Sequence, residues 1–315
     1  AREVLGVGAS GAESPSILRR SGPLLPADES RLAALRARLL AARERRPRPA
    51  RDDNIIASWN GLAIQGMCAA YQATGAASYL QAARRAADFI AGEMTLPDGG
   101  VYRAWREGKA KVPGFLDDYA NLANARIDLY ESGFDARDLD GAARLADLIL
   151  EKFWQPGAGL FLTASDSETL VQRPRTLVDG ACPSGTSASV FAFLRLAELT
   201  GGARYRERAE ELLQALAPAA AHDGIAFAHL LAAREFIQRG PLEIVFAGGH
   251  RDAGPLIAVA HRIYLPARVL AFAGDVPAGE GRGPLGGRPA AYVCRYQACR
   301  APVTTAAALA EQLAG

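Results

Sequence analysis

Several residue types and patterns that often identify a function are scarce in this chain of 315 residues. It contains four cysteines, four histidines and two methionines. Four cysteines in a chain of this length do not make a disulfide framework, which favours a reducing compartment. No run approaches the roughly 20 apolar residues that a membrane helix needs, and no hydrophobic signal region begins the chain. The sequence therefore predicts a cytoplasmic protein without membrane association.

The histidines and cysteines also restrict the possible chemistry. All four histidines fall in the last third of the chain, and no HxH or HExxH pattern indicates a metal site. Their positions disfavour a sugar epimerase that moves a proton between paired histidines. Cys294 and Cys299 form a C-x₄-C pattern without a second Cys or His pair nearby. We expect them to be reduced packing thiols, with a redox-active or metal-assisted role as the alternative.

The charge balance points away from nucleic acid. The chain carries 36 basic and 34 acidic residues, a net charge of +2. A basic run over 43–51 is typical of a solvated helix end and linker, with contact to a phosphate or acidic ligand as the alternative. The Gly-rich stretch 279–287 lacks the strand–GxGxxG–helix setting of a nucleotide site. We therefore predict no cofactor and no nucleic-acid partner.

What the sequence does contain is a pattern that repeats three times. Each unit pairs a helix that is apolar almost all round with an amphipathic helix. The pairs are 59–71 with 79–94, 116–130 with 139–154, and 184–199 with 205–216. A fully buried helix alternating with a half-buried one implies two concentric layers. The sequence thus predicts a mainly α fold, an (α/α)₆-type toroid of helical hairpins that is complete or open.

The remainder of the chain sets the predicted domain limits. Residues 1–27 are Gly-, Ser- and Pro-rich and predict an irregular segment. A helix over 28–46, capped by Asp28 and stopped by Pro47, opens the toroid domain at 28–239. Each outer helix is followed by a Gly and a short β-prone run, at 98–102, 157–161 and 223–227. The third segment, 240–315, reads strand, helix, strand and predicts a small α/β subdomain with parallel pairing.

Chemistry is expected where the inner helices begin, since helices running the same way gather their N-termini at one mouth. Carboxylates there suit acid/base work on a glycosidic bond, and aromatic faces and hydroxyls suit sugar binding. The candidate catalytic residues are Asp117, Asp118 and Asp179. The candidate substrate-binding residues are Trp59, Asn60, Tyr119, Ser184, Asp52 and Asp53. The alternative for each is structural, because Asp and Ser cap helices and aromatic residues fill cores.

Four ordered segments carry a resemblance to a known family. They are RPRPARDDNIIASWNGLAIQGMCAA, GFLDDYANLANARIDLYE, LVDGACPSGTSAS and AYVCRYQACRAPVT. They resemble the C-terminal region of the thioredoxin-domain-containing, spermatogenesis-associated protein family, found in bacteria and animals. The resemblance implies a six-hairpin glycosidase-like or N-acylglucosamine 2-epimerase-like toroid, normally preceded by a thioredoxin-like domain. That domain lies outside this sequence, which begins at Ala1 rather than Met, so we expect a truncated form.

Three functions remain open from the sequence. The leading hypothesis is a carbohydrate-related domain that acts as a glycoside hydrolase, with a small sugar or oligosaccharide as partner. The second is a non-catalytic binding or scaffold module that serves a thioredoxin-like domain on the same or another chain. The third is a sugar epimerase or isomerase. Carboxylates facing an open cleft would favour the hydrolase, and carboxylates paired with Arg51 or Arg103 in a dry core would favour the scaffold.

Overall fold

The computed structural model describes residue 23 and residues 25–168, 171–296 and 298–314. The chain forms two compact units, residues 1–53 and residues 54–315. Most of the predicted irregular segment 1–27 lies outside the described residues.

The first unit contains one helix, α1 (Pro26–Arg43). It begins two residues earlier than predicted, with Pro26 in the first position, where the missing N–H costs nothing. Asp28 lies in the first turn and is not the cap. The helix also ends before the predicted limit, and the basic run that follows pairs partly with local carboxylates, as in the ion pair between Arg48 and Glu44.

The second unit begins with the predicted helix pairs. In chain order its elements are β1 (Ile55–Ile56), α2 (Ala57–Thr74), α3 (Ala77–Glu93), β2 (Tyr102–Arg106), β3 (Lys109–Pro113), α4 (Leu116–Gly133), α5 (Ala136–Lys152), β4 (Trp154–Gln155), β5 (Gly159–Leu160), α6 (Gly185–Thr200), α7 (Ala203–His222) and α8 (Ala228–Arg239). They are followed by β6 (Leu242–Ala247), α9 (Gly254–Arg262), β7 (Arg268–Phe272), β8 (Ala290–Arg295), β9 (Ala298–Cys299) and α10 (Ala306–Ala314). All six helices of the threefold pattern are present.

The helices form two layers, as the pattern predicts. Helix α4 packs between α2 and α6, and α6 also packs on α8, while α3, α5 and α7 each pack on the inner helix that precedes them. Most residues of α4 and α6 are buried, whereas α3, α5 and α7 bury one stripe each. Three hairpins and one further inner helix make up the described arc. The fold is therefore mainly α, and its helices form an incomplete (α/α)₆-type toroid.

Each inner helix of the three hairpins ends in the same way. The residue after the last turn adopts a left-handed conformation and returns its N–H to a carbonyl of the helix, which stops the helix and turns the chain. Gly75 and Gly201 occupy this position after α2 and α6, as expected. After α4 the position holds Phe134, with φ of 52°. Its buried ring packs between Phe246 and Phe272, so burial of the aromatic ring offsets the backbone strain.

Two of the three predicted β-prone runs form hairpins. β2 pairs with β3, and β4 pairs with β5, both antiparallel. The prediction for 223–227 is wrong, because a 3₁₀ turn at Ile225–Phe227 leads there into α8. The Asp223 carboxylate accepts the Ala226 N–H, and the Ala226 carbonyl accepts the Asp179 N–H. These bonds use the backbone groups that a strand would need.

The rest of the second unit is an α/β layer at the C-terminal ends of the inner helices. Its sheet has the strand order β7-β6-β8-β9. β6 and β7 are parallel, as predicted, and β8 is antiparallel to β6. The Phe272 N–H donates to the Tyr130 hydroxyl, and the His261 ring bonds to the Glu131 carbonyl. Helix α4 is thereby bonded directly to this layer.

The expectation of reduced thiols at Cys294 and Cys299 is wrong, because the two residues form a disulfide. They face each other as a cross-strand pair between β8 and the short edge strand β9. The five-residue spacing lets the chain reverse direction between them, which brings both side chains to the same position along the ladder. Cys68 and Cys182 are free.

Candidate functional site

The N-termini of α2, α4, α6 and α8 lie at one end of the second unit, which we call the mouth. Two glycines allow the helices to approach there. A Cβ at Gly61 would lie 2.8 Å from the backbone of Asn121, and a Cβ at Gly185 would lie 2.9 Å from the Asp117 nitrogen. The first glycine brings α2 against α4, and the second brings α6 against the start of α4. The predicted gathering of helix N-termini is therefore present.

Asp118 bonds to several elements of the mouth, and its side chain is 0% exposed. One carboxylate oxygen accepts the Ser58 N–H at 2.9 Å, which joins α4 to α2. The other accepts the Phe115 N–H and an Arg103 N–H, each at 2.9 Å. Burial and the neighbouring charge of Asp117 raise the pKa of Asp118. With both oxygens hydrogen-bonded and its side chain buried, Asp118 joins α2, β2 and the start of α4.

Asp117 lies beside Asp118 in the sequence but in a different environment. Its side chain is 26% exposed, and it pairs with the same Arg103 nitrogen at 3.2 Å. Arg103 comes from β2 and is itself partly exposed, with its guanidinium over the Phe115 ring. We call Arg103, Asp117 and Asp118 the mouth cluster. It presents one carboxylate edge and one guanidinium to solvent.

Asp179 ties α6 to α8. One of its oxygens accepts the Ser184 N–H at 2.8 Å and the Ser187 hydroxyl, and the other accepts the His229 N–H at 2.8 Å. Although burial acts in the opposite direction, these hydrogen bonds lower the pKa of Asp179. Ser184 caps α6 by accepting the Ser187 N–H. The carboxylate is held ionised as a structural acceptor, which does not suit a general acid.

The two predicted contacts on α2 differ in accessibility. Trp59 is 66% exposed although it begins an otherwise apolar helix. It follows Ser58, whose N–H bonds to Asp118, so its position on α2 is next to the mouth cluster. Asn60 is partly buried and donates to the Ile56 carbonyl at 2.9 Å, within its own helix turn. Of the two, only Trp59 offers a face for a ligand.

Tyr119 lies inside the protein. Its ring is 2% exposed and packs edge-on against Phe153, with centroids 5.0 Å apart. Its hydroxyl accepts the Val101 N–H at 3.1 Å. A Cβ at Gly100 would lie 2.4 Å from that hydroxyl, so the neighbouring turn is shaped around the ring. The contacts of Tyr119 anchor the β2–β3 hairpin.

Asp52 and Asp53 belong to the first unit and are exposed there. Asp53 pairs with Arg51 two residues earlier. Asp53 thus forms a local, solvent-facing ion pair within residues 1–53.

Sequence reasoning gave neither Arg103 nor His229 a role in the site. Arg103 entered only as an ion-pair partner, because a basic residue in a predicted hairpin carries no signal of its own. His229 starts α8, a helix that the repeat pattern did not reveal. Burial lowers its pKa, so its ring is neutral at pH 7, and it lies edge-on to Phe191. Extending the repeat to a fourth inner helix after residue 216 would have placed His229 near the start of that helix.

Within the described ranges, no group of three or more His, Cys, Asp or Glu residues could hold a metal ion. In the same part of the chain, no helix is both long and apolar enough to cross a membrane.

Solved structures with a similar arrangement of helices include several sugar-active enzymes. An α-mannanase of glycoside hydrolase family 76 from Bacteroides thetaiotaomicron matches 67% of this chain and 57% of its own, with a TM-score of 0.48 and 18% identity. The cellobiose 2-epimerase from Spirochaeta thermophila matches 52% of this chain and 43% of its own, with a TM-score of 0.44 and 17% identity. At TM-scores below 0.5, these likenesses support no assignment of activity.

The sequence itself has clear relatives, although no protein-family model matches it. Human spermatogenesis-associated protein 20 is 29% identical over 289 residues, which cover 85% of this chain and 37% of the human protein. An uncharacterised Caenorhabditis elegans protein is 35% identical over 178 residues, which cover 54% of this chain and 24% of that protein. The chain thus spans little more than a third of its mammalian relatives. The resemblance predicted from the four motifs is confirmed: over most of its length, the chain is similar to spermatogenesis-associated protein 20.

Proposed function

We propose that the mouth is a carbohydrate-binding site that does not hydrolyse its ligand. The observation that carries the proposal is the state of the three candidate carboxylates. Asp118 is sealed and holds three donors, Asp179 is partly exposed but holds three more, and Asp117 is partly exposed with Arg103 as its ion-pair partner. Glycoside hydrolysis needs two carboxylates on opposite sides of the scissile bond. Binding needs only a shaped polar surface and an apolar face.

The mouth supplies both of these binding features. The exposed indole of Trp59 is an apolar face with a polar edge, and such rings are favoured in sites where a ligand has an apolar side and hydroxyls. Asp117 and Arg103 supply acceptors and donors for hydroxyl groups. The buried Asp118 holds both by bonding to Arg103 and by capping the helix of Asp117. The polar groups are therefore positioned before a ligand arrives, which lowers the entropic cost of binding.

Hydrolysis is a second candidate because one observation favours it. Asp117 is a partly exposed carboxylate whose neighbour, Asp118, has a raised pKa. A carboxyl whose pKa is raised by burial is a feature of many acid/base sites. Asp117 would then act on the substrate, with Asp118 as the group that tunes it.

The test is titration calorimetry of the 315-residue chain with a panel of sugars, combined with an assay for released reducing ends. The panel includes α-1,6-mannotriose and cellobiose, which appear in the names of solved structures similar in fold. We expect one sugar class to bind and Trp59→Ala to abolish that binding. The matched control is Tyr264→Ala, since Tyr264 is an exposed aromatic residue on the α/β layer.

Each outcome decides between the candidates. Binding without released reducing ends supports the proposal. Turnover that Asp117→Asn removes while binding persists supports the hydrolase instead. If no sugar binds, or if Trp59→Ala and Tyr264→Ala behave alike, the mouth is not a carbohydrate site.

A further inference from the structure

The disulfide between Cys294 and Cys299 lies in the α/β layer, and the function proposed for the mouth does not use it. Its two sulfurs differ in accessibility. Cys294 on β8 is 1% exposed, whereas Cys299 on β9 is exposed. β9 is the edge strand of the sheet, so an incoming molecule can approach Cys299 from solvent without displacing another strand.

The guanidinium of Arg282 lies next to the accessible sulfur. An Arg282 Nη lies 3.3 Å from the Cys299 Sγ. Among the described residues, no carboxylate forms an ion pair with Arg282, and its guanidinium lies over the Tyr292 ring. The positive charge of Arg282 acts on the carboxyl of Glu243, which lines the same cleft, and at 3.3 Å from the sulfur it would also act on a thiolate at Cys299. An adjacent arginine lowers the pKa of a cysteine and makes it a better leaving group and nucleophile.

The other two cysteines have neither property. Cys68 is buried, and burial raises the pKa of its thiol to about 12. Cys182 is exposed but has no partner cysteine within the described structure. The combination of an accessible sulfur, a shielded sulfur and a neighbouring cation is confined, among the described cysteines, to the pair in the sheet.

We propose that Cys294–Cys299 is a redox-active disulfide that exchanges two electrons with a dithiol. A thiolate of the dithiol attacks the Cys299 Sγ, a mixed disulfide forms, and the electron pair of the broken S–S bond passes to the Cys294 Sγ. The second thiol of the dithiol then attacks the mixed disulfide and releases the Cys299 thiolate beside Arg282. In total the dithiol becomes a disulfide, and its two protons end on Cys294 and Cys299.

Reduction has a structural consequence at the turn between β8 and β9. Tyr296 lies there with φ of 50°, packs on Gly240 and donates to the Gln238 carbonyl at 3.2 Å. Tyr296 and Arg282 both line an open cleft of about 1000 Å³ at the C-terminal end of α6. Breaking the disulfide removes the covalent link of β9 to the sheet. The wall of this cleft therefore depends on the state of the pair.

The first experiment measures the state of the pair in the folded 315-residue chain carrying Cys182→Ser. The protein is incubated at pH 7 with dithiothreitol or with reduced thioredoxin, trapped with iodoacetamide and digested for mass spectrometry. We expect both dithiols to reduce the pair reversibly and to leave Cys68 unlabelled. A higher rate with thioredoxin identifies a protein dithiol as the reductant, and equal rates identify a small one. A pair that reacts only after denaturation overturns the proposal.

The second experiment tests Arg282 as a positioning residue. In the reduced protein, the rate of Cys299 alkylation is measured against pH for wild type and Arg282→Gln. We expect the variant to shift the profile to higher pH, by about one unit, and to slow alkylation at pH 7 by about tenfold. Arg288→Gln, in the same loop and exposed, should leave the profile unchanged. An Arg282→Gln profile that coincides with wild type rules out this role.

Discussion

Helix α4 carries a carboxylate–arginine cluster near each end, and the two clusters differ in what they leave open. The mouth cluster meets backbone N–H donors at the start of the helix and keeps the edge of Asp117 in water. The second cluster, which we call the base cluster, comprises Asp128, Glu131 and Arg195. Arg195 pairs there with Asp128 at 2.5 Å and with Glu131 at 3.1 Å; the side chains of Arg195 and Glu131 are 7% and 6% exposed, and that of Asp128 is 22% exposed.

The two clusters differ in their position along α4 and in how far their side chains are buried. Helix N-termini supply donors for a carboxylate, so the buried Asp118 is hydrogen-bonded on both oxygens. The base cluster lies near a helix C-terminus, where the exposed backbone groups are carbonyls, and one Glu131 oxygen is buried without a hydrogen-bond partner in the described structure. Burial raises the pKa of both its carboxyls. The base cluster thus buries its arginine more deeply than the mouth cluster does and leaves one carboxylate oxygen unpaired, and the charge of Arg268 also acts on both of its carboxyls.

The largest effect is expected from removing Arg195. Arg195→Met removes the ion-pair partner of Asp128 and of the buried Glu131, and we expect it to lower the free energy of unfolding by about 3–5 kcal/mol. Urea denaturation followed by circular dichroism measures the change. The matched control is Arg239→Met, which breaks an exposed pair with Glu235 and should cost no more than about 0.5 kcal/mol. Equal losses in the two variants would contradict the distinction between the clusters.

A smaller effect is expected from neutralising the buried carboxylate of the mouth cluster. Asp118→Asn puts an amide N–H₂ where an oxygen now accepts a backbone N–H, and it removes the charge that faces Arg103. We expect a loss of about 2–3 kcal/mol, since the group is buried and bonded to charged and backbone donors.

Asp117→Asn is the control for that substitution, because it changes the adjacent residue in the same way. Its carboxylate is partly exposed and makes only a side-chain pair with Arg103, so we expect a cost below about 1 kcal/mol. If Asp117→Asn lowered the free energy of unfolding more than Asp118→Asn, the partly exposed ion pair with Arg103, and not the buried carboxylate, would hold the mouth together.

Much of the fold could be predicted because burial leaves a periodic trace. Helix α6 is apolar around most of its surface and is buried around most of it, and α4 is equally buried although it also carries polar residues such as Asn121 and Asn124. The predicted gathering of N-termini follows from that topology. Helix α2 is the exception, since it is equally apolar in sequence but buries only Ala57, Ser58, Gly61, Ile64 and Cys68. Periodicity in the sequence shows which helix faces are apolar, but it does not show which neighbouring element covers each face.

The details of the site could not be predicted for a related reason. Asp117 and Asp118 are identical in type and adjacent in sequence, but one is sealed and the other reaches solvent. That difference depends on Ser58 and Arg103, which lie 60 and 15 residues from Asp118. Nothing in the sequence indicated the base cluster, because Asp128, Glu131 and Arg195 are of residue types that are common on helix surfaces. Long-range pairing of single charges leaves no local pattern.

The base cluster has a buried histidine, His261, beside it, and this contact makes stability depend on pH. The His261 ring bonds to the Glu131 carbonyl, and burial lowers the pKa of His261 from 6.5 to about 4. The unfolded state therefore binds a proton between these pH values while the folded state does not. The contribution of the neutral ring to stability is present above pH 6.5 and is lost as the pH falls toward 4.

His261→Gln isolates this contribution, because the amide can donate to the same carbonyl and does not titrate. We expect the free energy of unfolding of the wild type, measured relative to the variant, to fall by about 2 kcal/mol between pH 7.5 and pH 5. Urea denaturation at closely spaced pH values gives the difference curve, with a slope that approaches one proton. His222→Gln, at an exposed histidine, is the comparison variant. A flat curve for His261→Gln would mean that its ring gains a proton in the folded protein as readily as in the unfolded chain. The base cluster would then be as open to water as the mouth, and enclosure would not distinguish the two ends of α4.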